Sequence, residues 1–491
     1  MNALGACDTV RNRCVTPGAK LEPRSTGYET DQGSQLPGAS DEQRTRLTLR
    51  KHTQRRHKND TYGKTVLENG IRVVTETIPQ VRSVAMGFLI DASLRDEAPG
   101  QSGLAHVAEH AMFQGTSSRD ALNIARLMDT MGGHVGAFTG RDYTCYHATV
   151  LDDYRTYALD LLGDILLNSI FPTDNLKREK EAILREIAAG QDTPAERGHM
   201  LLKASAWPDH PLGRPILGRP ETVAALTRRD VIYFVHEHYL PDRLIIAAAG
   251  NVDHQDFVAQ VRDGFWRMLG QSQPAPSPHL AYQAAVTIAH MEVSQAYFSL
   301  GVQVYPYAHP DRYTLHVLNN VLGRGISSRL YRRIREERGL VYHIGSEYHA
   351  YRDGGMWIIE GSTAPEYLMT VLRLTLTELL KLTTMEEPVN AEELWKAKMQ
   401  IRGEHIIAAE NTYTRMSRLA SQEFYFGRHL PSDEILAQVE AVNGCMLQNL
   451  ANEVLVDALR QATVAIVGPE SPEDYNVSRV EELLTGLQLP S

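Results

Sequence analysis

From Tyr62 onward the chain alternates short stretches of apolar and polar residues at two recognisable periods. GKTVLENGIRVVTE reads as two short strands about a turn at Asn69 and Gly70, and a further strand follows over Ser83 to Ile90. Leu104, Val107, Ala108, Ala111 and Met112 recur at helical spacing, and Gly115 can end that helix. Ala121 to Met131 is again apolar at helical spacing and meets Gly132 and Gly133. His134 to Thr139 and Tyr143 to Val150 read as paired strands, and Tyr154 to Phe171 as a buried helix. Pro172, Thr173 and Asp174 then open another helix that runs to about Ala189, with Leu176, Ile183, Leu184 and Ile187 as its buried stripe.

The pattern breaks twice. Residues 1 to 60 are rich in Gly, Ser, Gln, Arg and Thr, lack apolar periodicity and carry a basic run from Arg44 to Lys58, so composition predicts a disordered tail. GQSQPAPSPHLAYQ, from Gly270, has no periodicity and reads as an interdomain linker over residues 269–284. The expected division is therefore a tail, a first half over 61–268, the linker, and a second half over 285–488.

Those halves look related. HVAEHAMFQGTSSR, from His106, lies without gaps over HVLNNVLGRGISSR, from His316, and LKREKEAILREI, from Leu176, lies over NAEELWKAKMQI, from Asn390. The second copy has Asn319 and Asn320 where the first has Glu109 and His110, and Gln400 opposite Glu186. Amides supply neither a general base nor the donor set of a zinc site, so one duplicated fold is expected to carry one working site.

The 491 residues allow two or more domains, and 43% hydrophobic content with 22% charge is that of a globular chain. No apolar run approaches the roughly 20 residues that cross a bilayer. A net charge of -10 argues against a general nucleic-acid binder. Cys7, Cys14, Cys145 and Cys445 are scattered without a C-x-x-C pair and read as free thiols in a reducing, cytoplasmic compartment. The alternative is the mitochondrial matrix, with the tail as a transit peptide, although Glu22, Glu29, Asp31, Asp41 and Glu42 interrupt its basic character.

The chemistry lies in His106, Glu109 and His110, an H-x-x-E-H order. Residues four apart stack on one helical face, so both imidazoles can close on one metal ion with Glu109 beside them. Catalytic zinc takes three protein ligands and keeps a position for water. Glu179 and Glu186, two turns apart on one face of the following long helix, are candidates for the third.

With these residues the chain resembles the pitrilysin family of inverted zincins, and within it the catalytic subunit of mitochondrial processing peptidase and its bacterial relatives. GGHVGAFTGRDYTCYHATV, HPLGRPILG, YLPDRLIIAAAGNV and SSRLYRRIREERGLVY resemble recurrent family segments, so the likeness runs from about Tyr62 to near the C-terminus. It implies an α+β fold of two homologous domains, each a mainly antiparallel sheet with packed helices, enclosing a chamber. It also implies one Zn2+ per chain held by His106, His110 and Glu186, which stands 76 positions after His110, with Glu109 as the base and Glu179 supporting the site. Val135, Gly136, Ala137, Phe138 and Thr139 correspond to an edge strand that binds substrate, and Arg335 and Tyr342 to residues reaching over from the second half. The implied activity is endopeptidase cleavage of peptides or unstructured segments. The alternatives are a subunit active only beside a catalytically silent homologue, or a noncatalytic scaffold like respiratory-complex core subunits. A peptide substrate, no nucleic acid, no membrane, and a possible homodimer or heterodimer are the expected partners. Two positions depart from the family: Gly136 stands where an asparagine is common, and His147 where an aromatic is.

Overall fold

The computed structural model describes residues 61–273, 279–456 and 458–487, and the predicted tail and the middle of the linker lie outside them. Two mixed sheets organise the chain. The first contains β1 (Thr61–Val66), β2 (Arg72–Thr77), β3 (Ser83–Ile90), β4 (His134–Thr139), β5 (Thr144–Leu151) and β6 (Leu244–Gly250), in the order β1-β2-β6-β3-β5-β4. The second contains β7 (Ala285–His290), β8 (Ala296–Val304), β9 (Val341–Ala350), β10 (Gly355–Thr363) and β11 (Thr463–Gly468), in the order β7-β11-β8-β10-β9. Pairing is antiparallel except for β2 with β6 and β7 with β11. The sheets are thus mainly antiparallel, and each takes one parallel pair because its late strand returns after a run of helices.

One predicted helix is shorter than its pattern. Tyr154 to Phe171 resolves into a single 3-10 turn and a helix over Arg155–Asn168. Phe171 precedes Pro172, which disfavours helical geometry, and the chain turns there with Phe171 at φ 49°. The Ser169 hydroxyl meanwhile donates to the carbonyls of Met112 and Ile165.

Each sheet has two apolar faces. On the first, Val73, Val84, Met86, Phe88, Tyr146 and Val150 pack against helices of the same half. The opposite face, built from Val74, Ala85, Leu89, Cys145, Ile245, Ala247 and Ala249, is covered by Met416, Leu419 and Ala420 of the helix Thr412–Phe426, which belongs to the second half. Small residues let this helix lie close; a Cβ on Gly87 would sit 2.3 Å from Met416 Sδ. The second sheet is treated in the same way. Met356, Ile358 and Ala465 pack against Leu202, Ala206, Trp207 and Leu212, contributed by and just after the first-half helix Pro194–Ala206. The halves therefore exchange one helix each.

A polar joint accompanies the exchange. The Arg-Asp pair after β4 (Arg141, Asp142) recurs after β9 (Arg352, Asp353). Arg95 donates through both Nη atoms to Asp353, at 2.8 and 2.7 Å, and through Nε to Asp142 at 2.7 Å. Asp142 also accepts the Arg352 backbone N–H and the Tyr425 hydroxyl. Arg95 keeps its charge because the two carboxylates outweigh the cost of its burial, and Arg95 in turn holds Asp353 below the usual carboxylate range despite burial. Replacing Arg95 by Met removes the ion-pair partner of a buried Asp142 and a partly buried Asp353. Urea unfolding should show a loss of about 3–5 kcal/mol, and a change within the error of the fit would show that the joint is solvated.

Candidate metal centre

The motif residues lie on the helix Leu104–Met112, where every residue except His110 is buried. This is more enclosure than an amphipathic stripe predicts, because β4, the long helix Thr173–Gln191 and the helix Arg228–His238 surround it. Its N-terminus is fixed from both sides. Gly103 adopts φ 95°, and a Cβ there would lie 2.7 Å from the Leu217 carbonyl, so the HPLGRPILG segment packs directly beneath the first turn. Glu97 Oε1 accepts the N–H groups of Gly103 and Ala105 at 3.1 and 2.9 Å. Burial lifts the Glu97 carboxyl to about 8 in spite of these bonds and of the nearby Arg214 and His106. Sequence offers little sign of this residue, an acid outside the helix and out of phase with it.

His106 and His110 project together, with ring centroids 4.6 Å apart. Glu186 reaches them from the Thr173–Gln191 helix: its Oε2 lies 3.2 Å from His106 Nε2 and 3.9 Å from His110 Nε2. The ligand atoms of His106, His110 and Glu186 all fall within 4.8 Å of one another, and among the described residues no other group of three or more His, Cys, Asp or Glu does so. Glu179, two turns earlier on the same helix, stands 3.0 Å from His110 Nδ1. A hydrogen bond there fixes the tautomer that leaves His110 Nε2 with its lone pair toward Glu186. Glu109 Oε2 accepts the Thr139 hydroxyl at 2.5 Å and lies 3.4 Å from His106 Nδ1.

The charges ask for a cation. Burial disfavours a protonated His106, yet Glu109 and Glu186 outweigh it and hold the imidazole up at about 9. Burial likewise works against ionised Glu109 and Glu186, and their imidazole neighbours keep both below the usual carboxylate range. The second half provides an internal control. His316, aligned with His106, is pushed down to about 3 by desolvation and by Arg312 and Arg324. Where Glu109 would stand, Asn319 Oδ1 accepts from Ser346 Oγ and Trp357 Nε1, each at 2.7 Å. One copy of the fold accumulates negative charge around its histidines; the other has spent the same positions on packing. Two imidazoles and a carboxylate from two helices, beside an ionised glutamate that is not needed as a ligand, match the donor set and the open position of a catalytic zinc site.

The other predicted residues fall into two groups. Val135 and Ala137 face the metal side of β4 with Thr139, whereas Gly136 and Phe138 face the exchanged helix. Thr139 holds Glu109, so its hydroxyl is engaged in the site itself. Arg335 lies in the helical segment Tyr331–Glu336 and Tyr342 on β9, with the guanidinium 5.4 Å from the Tyr342 ring and Arg335 Nη1 donating to the Tyr331 hydroxyl. These two meet each other, and no hydrogen bond or ion pair among the described residues joins them to the metal cluster.

A His-His-Glu cluster with a further glutamate beside it, on one half of a duplicated sheet-and-helix fold, is an arrangement able to hold a metal ion next to a base. The chain belongs to peptidase family M16, the insulinase family: residues 72–220 match the family model for "Insulinase (Peptidase family M16)" and residues 225–401 that for "Peptidase M16 inactive domain". It is 36% identical over 401 residues to an uncharacterized zinc protease, YmxG, of Bacillus subtilis, covering 82% of this chain and 97% of that one. With an uncharacterized zinc protease of Streptomyces coelicolor it shares 34% identity over 435 residues, 87% and 93% of the two chains. The fold is similar to that of a protease from Helicobacter pylori (TM-score 0.76, 21% identity, 84% and 100% covered). It is also similar to a chain of complex III2 from Candida albicans (TM-score 0.73, 19% identity, 86% and 99% covered).

Two outcomes test the centre. With Glu109 and Glu186 holding His106 up at about 9 against its burial, zinc binding at pH 7 should release protons, seen as buffer-dependent heat in titration calorimetry, and affinity should climb as pH rises toward about 9. Glu179→Ala should weaken zinc binding about 10–100-fold in competition with a chelator, since His110 loses the group that orients it.

Proposed function

We propose that this chain is a zinc endopeptidase that hydrolyses peptides and unstructured polypeptide segments, with one Zn2+ held by His106, His110 and Glu186. The observation that carries this reading is the convergence of those three ligand atoms within 4.8 Å from two separate helices. The zinc proteases among its relatives support it. When bound, the ion supplies Lewis acidity, polarising a carbonyl oxygen and bringing water's pKa down to about 7.

The chain's own residues do the rest. Glu109 stays ionised beside His106, and the Thr139 hydroxyl occupies one of its oxygens, leaving the other to take a proton from the attacking water and pass it to the departing amine. Glu179 holds His110. β4 is the edge of its sheet, and among the described residues nothing pairs with its outer side, so an extended substrate can add there as a further strand through backbone hydrogen bonds. Arg335 and Tyr342 then serve as substrate-contacting groups from the second half.

We place the enzyme in the cytoplasm, in keeping with the exposed thiol of Cys445. No helix among the described residues is long and apolar enough to cross a membrane. A second reading, a noncatalytic scaffold, is prompted by the likeness to the complex III2 chain. The intact donor set disfavours it, because an assembly surface has no physical need for one. Whether the chain works alone or beside a silent homologue is settled by assaying the purified protein before and after adding one.

Glu109→Gln is the direct test. It should retain zinc and lower turnover of a quenched fluorescent peptide by at least about 10^2-fold; unchanged turnover with a full complement of metal would remove Glu109 from its role. Strand addition needs an unpaired backbone, so folded proteins should resist cleavage that their unfolded forms undergo.

A further inference from the structure

The two positions that depart from the family pattern stand directly opposite each other. Gly136 on the free edge strand is in register with His147 of β5. An ideal Cβ at Gly136 would lie 3.4 Å from His134 Nε2, 3.5 Å from His147 Cε1 and 3.6 Å from His147 Nε2. The missing side chain thus leaves a notch with a ring nitrogen on two sides. The imidazoles are 5.5 Å apart between centroids, with Phe138 at 6.2 Å and Tyr413 of the exchanged helix at 4.8 Å from His147 completing the wall.

The tautomer of His147 follows from burial. The residue is only 6% exposed, and its Nδ1 is buried without a hydrogen-bond partner among the described residues. Orphaned buried N–H groups are rarer and costlier than orphaned lone pairs, so Nδ1 carries the lone pair and Nε2 the hydrogen. Nε2 is the nitrogen that borders the notch. Burial, followed by the nearness of His134, keeps this ring neutral with a pKa of about 4, so it acts as a fixed donor.

Residues directly opposite in an antiparallel pair send their side chains to the same face, about 4.5–5.5 Å apart. A substrate strand added to β4 therefore places the side chain opposite Gly136 on the face of His134 and His147, away from the metal. With no side chain on Gly136 in the way, that group can lean over the strand, and an oxygen on it meets the His147 Nε2–H with His134 Nε2 alongside. A lysine or arginine there would present more hydrogens to a donor.

We propose that the Gly136 notch, bracketed by His134 and His147, is a substrate subsite for an acidic side chain, aspartate or glutamate, in the strand added to β4. This rests on the peptidase reading, and the experiment separates the two. Peptides varied at one position through Glu, Asp, Gln, Ala and Lys are incubated with the zinc-loaded protein and the cut sites mapped by mass spectrometry. At one fixed distance from the cut, kcat/KM for Glu or Asp should exceed that for Lys by about tenfold or more, as expected for one hydrogen bond to a charged group. His147→Phe, which removes the donor, and Gly136→Ala, which fills the notch, should each bring the ratio to within about threefold. Cleavage with no acidic preference, or a preference that survives both substitutions, overturns the subsite. If no peptide is cut, binding of the same labelled peptides to the Glu109→Gln protein gives the answer by anisotropy. Tighter binding of the acidic peptides would then uphold the subsite while the hydrolase reading falls, and equal binding of all five would overturn it.

Discussion

A sheet with two apolar faces cannot leave either one in water, and in this chain neither half owns enough helices placed to cover both. The solution is reciprocal. Helix Thr412–Phe426 lies on the far face of the first sheet, and Pro194–Ala206 on the far face of the second. Burial of this kind stabilises in proportion to the apolar area removed from water, and here the same burial fixes the positions of β4 and β5 from behind. Everything at the candidate metal centre is referred to that arrangement. Thr139, which orients Glu109, is on β4; the motif helix packs on one side of the strand, and Tyr413 of the exchanged helix bounds the other.

Much of this was legible in the chain as text. The spacing of His106, Glu109 and His110 on an apolar-striped helix fixed three side chains relative to one another, because helical geometry is local. Glu186 was harder: periodicity put it on a helix beside Glu179 without saying which of them faced the imidazoles, and the family spacing decided it. The strand pairs were readable from Asn69-Gly70 and from the alternation over His134 to Thr139. What sequence could not supply was non-local. The helix exchange leaves no mark, since Pro194–Ala206 and Thr412–Phe426 are ordinary amphipathic segments whose partners are set only by the assembled sheets. Glu97 gave no signal either, because a carboxylate capping a helix from several residues away depends on how a loop closes.

The contrast between His106 and His316 shows how little must change to silence a site. Their helices align residue for residue, yet one imidazole is held charged and the other neutral. The backbone is not the source of the difference. It comes from two carboxylates beside His106 and, beside His316, from burial with Arg312 and Arg324 nearby and amides in place of carboxylates, Asn319 being turned to the Trp357 indole and the Ser346 hydroxyl. A buried amide satisfied by two donors stabilises its neighbourhood, whereas buried carboxylates facing histidines stabilise it only when a proton or a metal balances them.

The crossed helices also bear on how such a chain could have arisen. A polypeptide of half this length, with the same succession of strands and helices, would fold with one side of its sheet bare. Two identical copies related by a twofold axis would dress each other, each lending the helix its twin lacks. Tandem fusion turns that encounter between molecules into one within a single chain, at an effective concentration no dilution can lower. It also ends the obligation of both copies to stay the same, which leaves one free to keep the chemistry and the other to become its architectural counterpart.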